Sequence, residues 1–196
     1  MSDIAILVLA AGKSTRMNSI KQLVKIDDKT LLEITLEKAK KIAPKKTFCV
    51  LGANANKIIG EINFEATEII INKNFDNGLS SSIIKGLDCF NKKYSEIKKV
   101  LILLADQPAI HLSYLEEMVA LSHKYPTKII ASKYNKTFGV PALIPSIYFD
   151  NLQKITGDKG AKTFLNNNQF SVISPKKNTN LFDIDTLAQL KQFINS

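Results

Sequence analysis

The chain has 196 residues, 45% of them hydrophobic, and carries a formal net charge of +9. That length and apolar content suit one domain, spanning 1–196, with a core of ordinary size. No segment approaches the ~18–20 apolar residues of a membrane-spanning helix, and the lysines are scattered without interleaved aromatics, which argues against both a membrane and a nucleic-acid partner.

Met1-Ser2-Asp3 runs directly into Ile4–Leu9, with no basic segment or small-residue cleavage site. The first apolar run therefore reads as a strand buried on both faces, not a signal peptide. Leu31–Ile42 has helical spacing and stops before Pro44. Thr47–Leu51 is a strand, Asn54 caps a helix through Ile62, and Glu68–Ile71 is a strand. Ser80–Phe90 is a helix and Lys99–Leu104 a second doubly buried strand. Ser113-Tyr114-Leu115-Glu116 has the form of a capping box opening a helix to about His123. Strands follow at Lys128–Ser132 and Ala142–Ile144, then a helix over Asp158–Leu165, a strand over Phe170–Ser174 and a closing helix over Thr186–Ile194. Alternating helices and buried strands predict an α/β fold, a mainly parallel sheet with helices on both faces. Ligands in such folds gather at the carboxyl ends of strands.

Cys49 and Cys89 lie in neither a CxxC pair nor a disulfide framework, consistent with a cytoplasmic protein. His111 and His123 belong to no HExxH or zinc-spaced cluster.

The polar motifs fall at strand ends. After the first strand comes Leu9-Ala10-Ala11-Gly12-Lys13-Ser14-Thr15-Arg16-Met17. Small residues let backbone N–H groups approach a phosphate, and Lys13, Ser14 and Arg16 surround them with cations and a hydroxyl. Neither GxxxxGK[ST] nor GxGxxG is present. Arg16 is the one arginine in the chain. Where lysine otherwise serves as the generic cation, a single arginine points to a need for a planar, forked donor. Lys21 follows, within reach of an α-phosphate where charge accumulates during transfer. Leu104-Ala105-Asp106-Gln107-Pro108 places a carboxylate just beyond a buried strand, suited to Mg²⁺ and its preference for one or two carboxylates plus phosphate oxygens. In Phe182-Asp183-Ile184-Asp185-Thr186 two carboxylates alternate and so point to opposite sides. Asp185 is the preferred second metal ligand and Asp183 the alternative; the other carboxylate is expected to cap the last helix. Gly78-Leu79-Ser80-Ser81-Ser82 opens a helix with donors for a base or ribose. Gly139-Val140-Pro141 and Gly157-Asp158-Lys159-Gly160-Ala161-Lys162 are polar turns placed to line an acceptor pocket.

Taken in order, LAAGKSTRM, Lys21, GLSSSI, LLADQP, GVP, GDKGAK and DIDT resemble the molybdenum cofactor nucleotidyltransferases, and within them the cytidylyltransferase branch, over nearly the whole chain. The resemblance implies a Rossmann-like nucleotidyltransferase fold and Mg²⁺-dependent transfer of CMP from CTP to molybdopterin. In this reading Leu9 through Met17 cradle the triphosphate and Lys21 contacts the α-phosphate. Gly78, Ser80, Ser81 and Ser82 hold base and ribose, and Asp106 and Asp185 hold the metal. Gly139, Pro141, Gly157, Asp158, Gly160 and Lys162 face the acceptor, and Arg16, Lys21 and Asp106 are the catalytic set. Ala11, where the guanylyltransferase branch carries a second glycine, favours CTP. Two positions depart from the family pattern: Val140 stands where it has histidine, and Lys162 where it commonly has arginine. Alternatives are guanylyl transfer, transfer to a sugar phosphate, or non-catalytic carriage of the cofactor to a molybdoenzyme.

Overall fold

The computed structural model describes residues 3–17 and 19–195; Met1 and Ser2, read above as preceding the first strand, lie outside them. The elements in order are β1 (Ile4–Ala10), β2 (Lys25–Ile26), β3 (Lys29–Thr30), α1 (Leu31–Ile42), β4 (Thr47–Leu51), α2 (Ala55–Glu61), β5 (Glu68–Ile71) and α3 (Leu79–Lys93). Next come β6 (Lys99–Leu104), α4 (Leu112–Lys124), β7 (Ile129–Tyr134), β8 (Thr137–Pro145), α5 (Phe149–Leu152), α6 (Lys162–Asn167), β9 (Val172–Ile173) and α7 (Leu187–Ile194). One seven-stranded sheet has the order β5-β4-β1-β6-β8-β7-β9. Its strands run parallel except β8, which is antiparallel to both neighbours. This is the expected mainly parallel sheet with helices on both faces. Among the described residues no helix is long and apolar enough to cross a membrane.

The period-two alternation of β1 divides the core. Ala5, Leu7 and Leu9 point to the face covered by Ile83, Leu87 and Phe90 of α3. Ile4, Ile6, Val8 and Ala10 point to the other face, under Leu32, Leu36 and Ala39 of α1 and Leu115 and Met118 of α4. The i, i+4, i+7 spacing in α1 and α3 and the i, i+3 spacing in α4 supply one apolar stripe per helix. At Gly86 of α3 a Cβ would lie 2.5 Å from Cδ2 of the buried Leu7, so glycine permits the close approach of helix and strand. At α1, Thr30 accepts a hydrogen bond from the Glu33 N–H and Glu33 accepts from the Thr30 N–H, a reciprocal cap.

Several boundaries differ from expectation for local reasons. The capping box expected at Ser113 is absent: α4 begins at Leu112 with His111 at the cap position and no side-chain cap. Ser113 thus lies inside the helix. Gly157 and Gly160 adopt φ +74° and +52°, so residues 157–161 form turns and α6 starts at Lys162 rather than Asp158. The segment after Asn168 is a short 3-10 turn followed by the two-residue β9, with Phe170 90% exposed. The expected three-residue strand over Ala142–Ile144 lies within the buried part, Pro141–Pro145, of the nine-residue β8. The β2–β3 hairpin, turning through Asp27 at φ +53°, was not expected.

A third, smaller apolar cluster lies at the carboxyl ends of β1 and β6. Met17, Leu31 and Ile184 are each at most 1% exposed, with Phe182, Leu190 and Phe193 packed against them. Ile184 also donates its N–H to the Asp106 carbonyl at 2.9 Å. This side chain pegs the C-terminal tail to the loops after β1 and β6. Truncating a buried isoleucine to alanine removes about 2–5 kcal/mol. Ile184→Ala should lower stability by that order, and amide exchange should accelerate in α7 more than in β1. Unchanged exchange in α7 would show that the tail is held elsewhere.

Candidate functional site

β1 and β6 are adjacent and parallel, with Leu9 opposite Leu104, so the segments that leave their carboxyl ends face one another. Between them opens a cleft of about 410 Å³. Residues Leu9 through Arg16, Lys21 and Gln22 form one wall; Phe75, Asp76, Gly78, Leu79 and Ser82 form a second; Ala105, Asp106, Asp158 and Asp185 complete it.

At its centre the Lys21 ammonium bridges two carboxylates, donating to Asp106 Oδ2 at 2.5 Å and to Asp185 Oδ1 at 2.8 Å. The three side chains are 17%, 18% and 28% exposed, so screening by water is partial. Burial works against the charged Lys21, but the Asp106 charge and the hydrogen bonds to both carboxylates outweigh it and raise its pKa. Burial likewise opposes ionisation of Asp185, but Lys21 and Arg16 hold its carboxyl below the ordinary range. Arg16 reaches Asp185 Oδ2 at 3.2 Å while remaining 70% exposed. Lys13 crosses the cleft mouth to Asp76 at 2.6 Å, again between exposed groups.

Two carboxylates, no imidazole and no thiolate form a hard oxygen donor set. Asp106 Oδ1 is buried with no hydrogen-bond partner among the described residues, an orphaned acceptor of the kind a cation satisfies. Among these residues no cluster of three or more His, Cys, Asp or Glu could form a complete metal cage. The pair therefore fits a cation that draws its remaining ligands from phosphate and water, as Mg²⁺ does.

The two tail aspartates have different partners: Asp185 accepts from Lys21, whereas Asp183 accepts from Gln107 Nε2 at 2.7 Å. Neither caps the last helix; Thr186 does, accepting from the Gln189 N–H. Burial, then the Asp106 charge, push the Asp183 carboxyl up to about 6.

The glycine motifs meet each other. Gly78, at φ +87°, lies so close to the Gly157-Asp158 peptide that a Cβ there would sit 2.5 Å from it, and the Ser80 N–H donates to the Gly157 carbonyl. Ser82 faces the cleft, its hydroxyl accepting from Asn72. Ser80 and Ser81 instead line a separate groove with Gly157, behind that contact. Gly139, Pro141, Gly160 and Lys162 are not among the cleft-lining residues. Gly139 is covered by the Tyr134 ring, Pro141 is buried in β8, and Gly160 packs on Leu79. Val140 offers only its carbonyl, to the Tyr134 hydroxyl. His111 serves as a helix-cap position, its N–H on Thr179.

Sequence reasoning missed Gln22 and Gly52. Gln22 is 4% exposed and bonds the backbone of the loop after β1; a polar residue directly after Lys21 was the available signal. Gly52 lies under the same loop, where a Cβ would be 2.9 Å from that of Ala11.

Because folding raises the Asp183 pKa, the native state gains stability from its proton below the ordinary carboxylate pKa. That gain is lost as pH rises through about 6. Asp183→Asn retains an acceptor for Gln107 and removes the charge. In chelator-treated protein its melting temperature relative to wild type should therefore rise between pH 4.5 and 7.5. A pH-independent difference would contradict the burial of an ionised Asp183.

Comparison with known proteins follows the same outline. The chain is 31% identical over 118 residues to the bifunctional protein GlmU of Buchnera aphidicola subsp. Schizaphis graminum, covering 59% of this chain but only 24% of that protein. It is 26% identical to the nicotine blue oxidoreductase of Paenarthrobacter nicotinovorans, covering 96% of this chain and 95% of that one. The crystal structure of an Rv0371c homologue from Mycobacterium sp. strain JC1 superposes with a TM-score of 0.85 at 25% identity, over 98% of this chain and 96% of that one. Molybdopterin-guanine dinucleotide biosynthesis protein A from Archaeoglobus fulgidus shares the fold, with a TM-score of 0.73 at 21% identity over 97% of each chain. The architecture is the Rossmann-like nucleotidyltransferase fold. Residues 6–172 match the MobA-like NTP transferase domain, and the chain belongs to that family.

Proposed function

We propose that the protein is a Mg²⁺-dependent cytidylyltransferase that moves CMP from CTP to the terminal phosphate of molybdopterin. The observation that carries this reading is the convergence of Lys21, Asp106 and Asp185 beside the small-residue loop. An oxygen of the acceptor phosphate attacks the α-phosphorus. A new P–O bond forms, the bond to the bridging α,β-oxygen breaks, and pyrophosphate leaves. The acceptor is already ionised, so no protein nucleophile or base is required. The chain contributes alignment and charge neutralisation: Lys21 at the α-phosphate, Arg16 and Lys13 along the triphosphate, backbone N–H groups of the loop around it. Asp106 and Asp185 would hold the magnesium ion, which supplies further neutralisation of the phosphate oxygens when bound. Ala11, facing the cleft, supports cytosine over guanine by the motif resemblance. Of the residues assigned to the acceptor, Asp158 has direct support from its place in the cleft.

Two other readings have specific support. The name of the archaeal fold neighbour favours GTP as donor, and the near full-length match to an oxidoreductase favours redox chemistry. One assay separates all three. Purified protein with Mg²⁺ and molybdenum-loaded molybdopterin should release pyrophosphate faster from CTP than from GTP, ATP or UTP. Greater release from GTP would overturn the base assignment, and no release from any nucleotide would overturn transfer itself. Asp106→Asn and Asp185→Asn should each lower turnover by roughly 100- to 1000-fold, the scale of losing one preorganised electrostatic contact. Asp183→Asn should retain most of it.

A further inference from the structure

We propose that Gln22 is a positioning residue that presets the triphosphate loop, by holding two of its carbonyls away from the phosphates. The inference rests on the reading of the cleft as a nucleotide site. Gln22 lines the cleft yet is nearly buried, and both ends of its amide are engaged. Nε2 donates to the Ala10 carbonyl at 2.8 Å and to the Gly12 carbonyl at 3.2 Å. Oε1 accepts from the Ser14 hydroxyl at 3.1 Å, and that hydroxyl's oxygen accepts the Lys21 N–H at 3.0 Å. The orientation of the amide is therefore fixed. Reversed, it would set its oxygen against two carbonyl oxygens.

The consequence is electrostatic. A phosphate is attracted by N–H and repelled by C=O. In a trans peptide the two groups point opposite ways. Capturing the Ala10 and Gly12 carbonyls thus turns the N–H groups of Ala11 and Lys13 away from Gln22. The bonds to the Ser14 hydroxyl anchor Ser14, which sits at φ +59°, a left-handed conformation unfavourable for an L-residue. They also tie the loop to the backbone of Lys21, so the triphosphate loop and the α-phosphate lysine form one hydrogen-bonded unit. Gly12 has open space where a Cβ would stand, so its own packing does not fix the loop.

The experiment compares the affinities of CTP and CMP, each with Mg²⁺, by calorimetry. Gln22→Met keeps length and neutrality but has no donor for the two carbonyls. It should weaken CTP by at least ~10-fold, the effect of losing two hydrogen bonds at once, and CMP by much less. Ser14→Ala leaves the two carbonyl contacts of Gln22 and removes both hydroxyl contacts, to Gln22 Oε1 and from the Lys21 N–H; it should weaken CTP by ~2- to 10-fold. The decisive readout is the ratio of the CMP to the CTP dissociation constant, which should fall. A merely structural role would weaken both nucleotides alike and leave the ratio unchanged, which would overturn the proposal. Wild-type affinity for CTP in Gln22→Met would also overturn it. If the Gln22 variants do not fold, an unchanged ratio in Ser14→Ala overturns it and a reduced ratio supports it. Failure of the wild-type protein to bind CTP would instead reject the nucleotide reading on which the inference stands.

Discussion

A single ammonium between two carboxylates organises the functional end of this protein. Lys21 comes from the segment after β1, Asp106 from the segment after β6, and Asp185 from the C-terminal tail. No helix or strand connects these three pieces at that point. The ion pairs are partly buried, and removing one partner would leave charge poorly solvated, which makes such sites sensitive to any misplacement. Their placement rests on apolar packing behind them. Met17 under the loop and Ile184 in the tail share one cluster, and the Ile184 N–H is bonded to the Asp106 carbonyl.

The arrangement also matches the charge of its proposed ligand. Lys21 and Arg16 carry two positive charges, Asp106 and Asp185 two negative ones, and they are paired with each other. A metal–triphosphate offers each a stronger partner of its own: cation for carboxylates, phosphates for lysine and arginine. Binding in this account is an exchange of counterions, with the cation offsetting part of the triphosphate charge, so it need not bury an isolated charge at any stage.

The parallel framework was legible because buried strands and helical stripes leave simple periodicities. The bounds of α1, β4, β5 and β6 follow from apolar runs closed by polar or proline residues. That the loop, Lys21 and Asp106 would lie together was also legible from their place after two buried strands, whereas the nearness of Asp185 rather than Asp183 to Lys21 is a tertiary outcome. What did not show was anything set by tertiary contact. The engagement of Gln22 depends on carbonyls up to twelve positions away. The division of the serine cluster, with Ser82 in the cleft and Ser80 and Ser81 behind it, depends on where Gly157 docks. Gly139 and Pro141 looked like pocket residues because glycine and proline mark turns, yet here they lie within β8. The expected cap at Ser113 failed because a four-residue pattern does not say where a helix begins.

The central claim is that Asp106 and Asp185 receive the metal while Lys21 transfers to the nucleotide. A crystal structure with Mn²⁺ and a non-hydrolysable CTP analogue, read at the manganese absorption edge, tests it most directly. The account predicts an anomalous peak about 2 Å from an oxygen of each aspartate, with the Lys21 ammonium on the α-phosphate. A nucleotide-bound structure in which Lys21 still bridges the two carboxylates, with manganese elsewhere, would contradict it.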